Sequence, residues 1–128
     1  MSSPRRERAA HAAPGEKVWV LVNHIKPGKL DAHLRWIYDI LMPAVERVAP
    51  DIYRTVRFLE PHEEDEQPED GTYRTVWIMD PLVEGADYNY DTLLTKAYGP
   101  DQANEYMKLI DEWESGGQTA YVLKQSAW

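Results

Sequence analysis

One change of hydrophobic period constrains this chain more than any other feature. Up to Ile25, the residues Val18, Val20 and Val22 alternate with Trp19, Leu21 and Asn23, the two-residue period of a strand over about 17–25. Beyond the Pro27-Gly28 break, Leu30, Leu34, Ile37, Leu41, Val45 and Val48 recur every three or four residues. That is the period of an amphipathic helix reaching about Ala49. Asp31 suits the first turn of this helix, where a carboxylate meets the positive end of the dipole. Pro43 removes a backbone donor inside the pattern and predicts a kink, and Pro50 predicts the helix end. The strand also changes character at its tip. Asn23 and His24 follow an apolar run, which marks the rim or floor of a pocket.

The two periods return along the chain. Strands are predicted over about 52–59 and 72–79, joined by an acidic, proline-bearing loop, 61–71. Helices follow over about 90–98 and 101–114, divided by Gly99-Pro100. Asp101 is the expected cap of the second, and Ala103, Tyr106, Ile110 and Trp113 mark its inner face. Gly116-Gly117 then releases a last strand over about 119–126. The order β-α-β-β-α-β is that of the split βαβ, or ferredoxin-like, arrangement in the α+β class. Right-handed crossovers place both helices on one face of a four-stranded antiparallel sheet. At 128 residues the chain has the size of one domain, expected over 17–128 behind a disordered arm, 1–16.

Alternation sorts the strand residues into two sets. Val18, Val20, Val22, Ile52, Val56, Phe58, Val76, Ile78, Ala120 and Val122 are mostly aliphatic and are expected to form the seam against the helices. Arg54, Arg74 and Lys124 interrupt this set near strand ends, where long side chains reach water along apolar stems. Trp19, Leu21, Asn23, Tyr53, Thr55, Arg57, Leu59, Tyr73, Thr75, Trp77, Met79, Tyr121, Leu123 and Gln125 are expected on the open face. A soluble monomer rarely exposes so large an apolar patch. A second copy under two-fold symmetry is the simplest cover, and two such sheets would enclose an aromatic lumen suited to a small molecule.

Charge and composition remove several classes. The net charge is −8, but Glu60, Glu63, Glu64, Asp65, Glu66, Glu69 and Asp70 supply seven of those charges with no Lys or Arg among them. The remainder is nearly neutral and carries no basic stripe, which argues against nucleic acid. No run approaches the roughly 18 apolar residues that span a bilayer. The first fifteen residues have arginines without the apolar core of a secretory signal. The chain has no cysteine, which excludes disulfides, a thiolate nucleophile and a Cys-based zinc site, and fits a cytoplasmic setting.

The start Asn23-His24-Ile25-Lys26-Pro27-Gly28, together with the β-α-β-β-α-β order over 17–128, resembles the dimeric α/β-barrel superfamily. Within it, Asn23 and Thr75-Val76-Trp77 resemble the antibiotic-biosynthesis monooxygenase group. The resemblance implies a small homodimer with a site in each subunit's cleft. It also implies cofactor-free oxygenation to a quinone, or cyclisation of a polyketide as in neighbouring families. In such oxygenases another Asn precedes the Trp by four residues; here that position is Tyr73. The haem-degrading relatives carry a ligating His beyond the third strand, and no histidine follows His62.

The candidate catalytic residues are Asn23, Trp77 and His24. An Asn amide can donate to a developing enolate or peroxide oxygen, and an indole can stack on a flat substrate or donate through its N–H. His24 is a candidate base because histidine is the usual acid–base side chain near neutral pH, although alternation turns it with Val22 toward the helices. Trp19, Tyr53, Arg57, Tyr73 and Tyr121 are candidate substrate-binding groups, with Arg57 as an anchor because it cannot act as a base. His33 falls off the apolar stripe and is expected to be exposed. His24, His33, His62 and the acidic loop have no recognised metal-ligand spacing, so no metal or organic cofactor is expected. These readings leave an enzyme for a flat aromatic or polyketide-like molecule, a non-catalytic binding dimer, and a purely structural interface as alternatives.

Overall fold

The change of period at Pro27-Gly28 falls between two elements of the structure, a computed structural model that describes residues 11–127. The first strand, β1, is Lys17–Ile25. Gly28 then turns the chain at φ 73°, a left-handed conformation glycine takes without steric cost. α1 (Leu30–Arg35) follows, with Asp31 in its first turn. The discontinuity expected at Pro43 takes the form of a change in helical register. Trp36–Leu41 is a π turn, after which the Met42 N–H bonds back to the Ile37 carbonyl, and α2 (Met42–Val48) restarts with Pro43 in its first turn. There a missing N–H breaks no helical bond.

Pro50 ends that helix but also begins another, α3 (Pro50–Thr55). The strand predicted over 52–59 is therefore only β2 (Val56–Leu59), and Ile52, Tyr53 and Thr55 are helical. Proline preset at a helix start outweighs the strand preference of the residues behind it. Beyond β3 (Tyr73–Met79) come α4 (Tyr90–Tyr98), α5 (Pro100–Lys108), α6 (Ile110–Trp113) and β4 (Glu114–Lys124). Gly99, not Asp101, occupies the cap position of α5. β4 begins earlier than predicted and takes in Gly116-Gly117, both at positive φ, where its register with β1 shifts between Asn23 and Ile25.

The fold is α+β, with one antiparallel sheet in the order β2-β3-β1-β4. Part of the segment predicted as a disordered arm is tied to this sheet. Ala12 is buried, its N–H donates to Asp80 Oδ1 at 2.9 Å, and Gly15 and Glu16 pair with Gln125. The rest of that arm, 1–10, lies outside the described residues. No helix among the described residues is long and apolar enough to cross a membrane.

Alternation within each strand is as read from the sequence, but the phase between strands is not. Leu21 lies opposite Trp77, Asn23 opposite Thr75, Phe58 opposite Trp77 and Ala120 opposite Leu21. Trp19, Leu21, Asn23, Thr75, Trp77 and Met79 therefore share a face with Val56 and Phe58, and this is the face against the helices. Asn23, Ile25, Thr75, Trp77 and Met79 are each at most 4% exposed. The apolar members of this face pack with Trp36, Ile37, Leu41, Leu94 and Trp113. The opposite face joins Val18, Val20, Val22, Val76 and Ile78 to Arg57, Leu59, Tyr121 and Leu123. The open face is thus aliphatic and the seam aromatic, the reverse of the expectation for β1 and β3. The helical layer is broken into short pieces, and bulky rings fill the irregular space beneath it.

Candidate functional site

A cavity of about 450 Å³ lies between the helices and the centre of the sheet. Leu21, Trp77 and Met79 form its floor, Leu41, Met42, Val45 and Ile52 one wall, and Tyr88 through Leu93 another. Val56, Met107 and Gln118 complete the lining, which contains no Lys or Arg. The methionines give the apolar part an adaptable surface.

Behind the Trp77 side runs a continuous row of polar groups. The Trp77 Nε1–H donates to the Tyr90 hydroxyl at 2.9 Å, and Gln118 Nε2 donates to the same oxygen at 3.2 Å. Gln118 Nε2 also donates to Asn23 Oδ1 at 2.8 Å, and Asn23 Nδ2 donates to Thr75 Oγ1 at 3.0 Å. Thr75 Oγ1 in turn meets His33 Nε2 at 2.8 Å. Asn23, Thr75 and His33 are buried, whereas Gln118 and Tyr90 reach the cavity. Burial raises the Tyr90 pKa despite the two donors on its oxygen, so Tyr90 is a neutral phenol at pH 7.

His33 ends this row inside the protein. It is fully buried against Phe58 and Trp113, the latter ring 4.3 Å away at 62°. Its Nδ1 has no partner. A charged ring would place a second N–H in this apolar shell, and burial accordingly lowers its pKa to about 4. The expectation that His33 is exposed is therefore corrected. The buried stripe of the first helical segment runs through His33, Trp36, Ile37, Leu41, Ala44 and Val45, one position round from the apolar spacing that was read.

The structure divides the sequence-predicted site residues among different places. Trp77 lines the cavity, while Asn23 lies behind Gln118 and does not touch it. His24 points with Val22 away from the helices, the reverse of its expected direction. There its Nε2 meets Thr119 Oγ1 at 2.9 Å in an open groove that also includes Tyr121. The sheet thus separates His24 and Tyr121 from Trp77. Arg57 is also on that outer face, where its Nη2 lies 3.2 Å from Asp80 Oδ2. Burial alone would raise the Asp80 pKa, but the Ala12 N–H, His11 and Arg57 together lower it. Trp19 packs on Tyr88 at 5.9 Å with its indole N–H unpartnered. Tyr53 is on α3 and Tyr73 stands at the edge toward the acidic loop.

Tyr90 and Gln118 were not singled out by sequence. Tyr90 opens a short predicted helix, and Gln118 falls between Gly116-Gly117 and the strand predicted from about 119. Only pairing of β4 beside β1 brings Gln118 onto Asn23. Among the described residues no group of three or more His, Asp or Glu is placed to hold a metal ion. The chain matches no family model, no curated protein and no solved structure.

Proposed function

We propose that this chain is a ferredoxin-like βαββαβ protein that pairs through its open sheet face into a dimeric α/β barrel. In this reading each subunit is an enzyme for a flat aromatic or polyketide-like molecule, working without a cofactor by oxygenation or cyclisation. The observation that carries it is the cavity between helices and sheet. Its volume falls in the roughly 300–1,000 Å³ range of small-molecule sites, and it combines an apolar slot with polar groups along one side. The substrate position moves from a lumen between two sheets to the helix–sheet cleft, because Trp77 and Asn23 face that way. Trp77 offers its ring face as a platform, while Asn23 acts through Gln118 as a positioning residue. His24, Arg57 and Tyr121 fall outside the site and belong to the face that a second copy would cover. The strand order and the aliphatic open face support the pairing.

Oxygenation and cyclisation both start from an enolisable carbonyl compound, so one substrate separates them. Anthrone plus dioxygen gives anthraquinone plus water, with the substrate supplying all the electrons. Oxygen uptake above the uncatalysed rate, lost in Trp77→Phe and reduced in Asn23→Ala, is the expected result. Unchanged rates in both variants would remove these residues from the site. Anthrone that binds and is recovered unaltered would remove oxygenation and leave cyclisation or a binding dimer.

A further inference from the structure

We propose that Tyr90 is the recognition group of the cavity and that it selects an uncharged ligand carrying a carbonyl oxygen. The proposal rests on the reading of the cavity as a ligand site and adds the chemistry of what it holds.

A phenol oxygen accepts two hydrogen bonds and donates one. Both acceptor positions of Tyr90 are taken, one by the Trp77 indole N–H and one by the Gln118 amide. Both Gln118 amide hydrogens are likewise spent, on Tyr90 and on Asn23. The Trp77 N–H is committed as well, so neither of these two can give a proton to a ligand without breaking the row. The hydroxyl proton of Tyr90 has no acceptor among the described residues, and Tyr90 lines the cavity. Two donors pulling on the same oxygen also polarise the O–H that remains, which strengthens it as a donor. On the Trp77 side the cavity therefore presents one free hydrogen-bond donor, the Tyr90 hydroxyl; Tyr88, which accepts from the Val83 N–H, is the other phenol of the lining and packs against Trp19.

Charge narrows the ligand further. No Lys or Arg lines the cavity, and Asp91 is the one charged side chain at its edge. A carboxylate would leave water for a largely apolar slot with only neutral donors and an acid nearby, which is unfavourable. A ketone or quinone oxygen needs only one such neutral donor, which Tyr90 supplies beside Trp77. Tyr90 also stands 5.2 Å from Trp36, and Trp77 4.5 Å from Phe58, so both rings are held by packing rather than free to swing. A fixed donor beside a fixed ring platform suits a planar aromatic ketone with its carbonyl directed at Tyr90.

Three matched probes test this: 1-acetonaphthone, the hydrocarbon 1-ethylnaphthalene and the anion 1-naphthoate. Their affinities are measured by tryptophan fluorescence for the wild-type protein and Tyr90→Phe. The ketone-to-hydrocarbon affinity ratio is expected to fall about 3- to 10-fold in the variant, the effect of one net hydrogen bond. Naphthoate is expected to bind more weakly than the ketone. The infrared carbonyl stretch of bound acetonaphthone gives a second readout that needs no variant. It should lie below its value in hexane. An unshifted stretch would mean that a turned-over Gln118 amide takes the Tyr90 proton, and would overturn the assignment. A ratio unaffected by Tyr90→Phe, or tighter binding of naphthoate, would also overturn it while leaving the cavity as a ligand site. Binding of none of the three would overturn both this proposal and the cavity reading.

Discussion

The buried His33 makes acid stability a measurable consequence of the polar row. Its folded pKa, about 4, lies below the ordinary 6.5. As pH falls through 6.5 the unfolded chain takes up this proton first, so stability is lost from that point downward and the loss levels off below about 4. The two values correspond to at most about 3 kcal/mol, of which about 2 kcal/mol is lost between pH 7 and pH 5. With a urea slope of about 1–3 kcal/mol per molar for a domain of this size, the midpoint should drop by about 1 M over that interval. Urea unfolding at four or five pH values gives the curve for the wild type. The same series on His33→Gln isolates the histidine, because an amide still meets the Thr75 hydroxyl but does not titrate. Carboxylate contributions are common to both proteins and cancel in the difference. The wild type should lose stability more steeply than the variant between pH 6.5 and pH 5. Curves parallel within about 0.3 kcal/mol would refute the reasoning and place the His33 ring in contact with water in the folded state.

Thr75→Val removes the hydroxyl that joins Asn23 Nδ2 to His33 Nε2 and leaves both buried groups unpaired. A loss of about 1–3 kcal/mol in denaturant unfolding is expected, despite the matched volume. Leu94→Ala opens a hole under α4, where Leu94 has no exposed surface, and should cost about 2–5 kcal/mol in the same assay. Light scattering at micromolar concentration should give twice the 14.8 kDa chain mass. Ile78→Glu, on the outer face beside Val20, should return a folded monomer. A wild-type monomer would contradict pairing through the open face.

How much of this was legible in the sequence differs from element to element. Lys17–Ile25 and Tyr90–Tyr98 are found where the periods and their breakers put them, because local chemistry decides such elements. The strand pattern overextends β2 because a Pro50 that stops one helix can equally start another, and a six-residue helix carries too few turns to show a period. The register slip to a π turn before Pro43 moves the buried stripe round by one position, so regular helical spacing places His33 in solvent whereas the structure buries it. Tyr90 and Gln118 carry no local signal at all. Their role arises from contacts 13 and 28 residues apart in the chain, set by the sheet and by the packing of α4 upon it.

The phase of the sheet bears directly on function. Period-two alternation states which residues of a strand share a face but leaves free which face that is. Taking aliphatic residues to mark the helix seam orients β2 and β4 as they are found and turns β1 and β3 over. Pairing couples the phases: with Leu21 opposite both Trp77 and Ala120, one choice settles the other strands. Turning β1 and β3 together breaks the candidate list in two. Trp77 and Asn23 join Tyr90, Gln118 and His33 beneath the helices. Arg57 and Tyr121 stay on the open face and His24 joins them there, where Tyr121 and Leu123 are about half exposed. The proposed chemistry thus needs no residue from a second copy. A variant that abolishes pairing but leaves the fold intact should retain ligand binding, and loss of binding on dissociation would show that the partner completes the site.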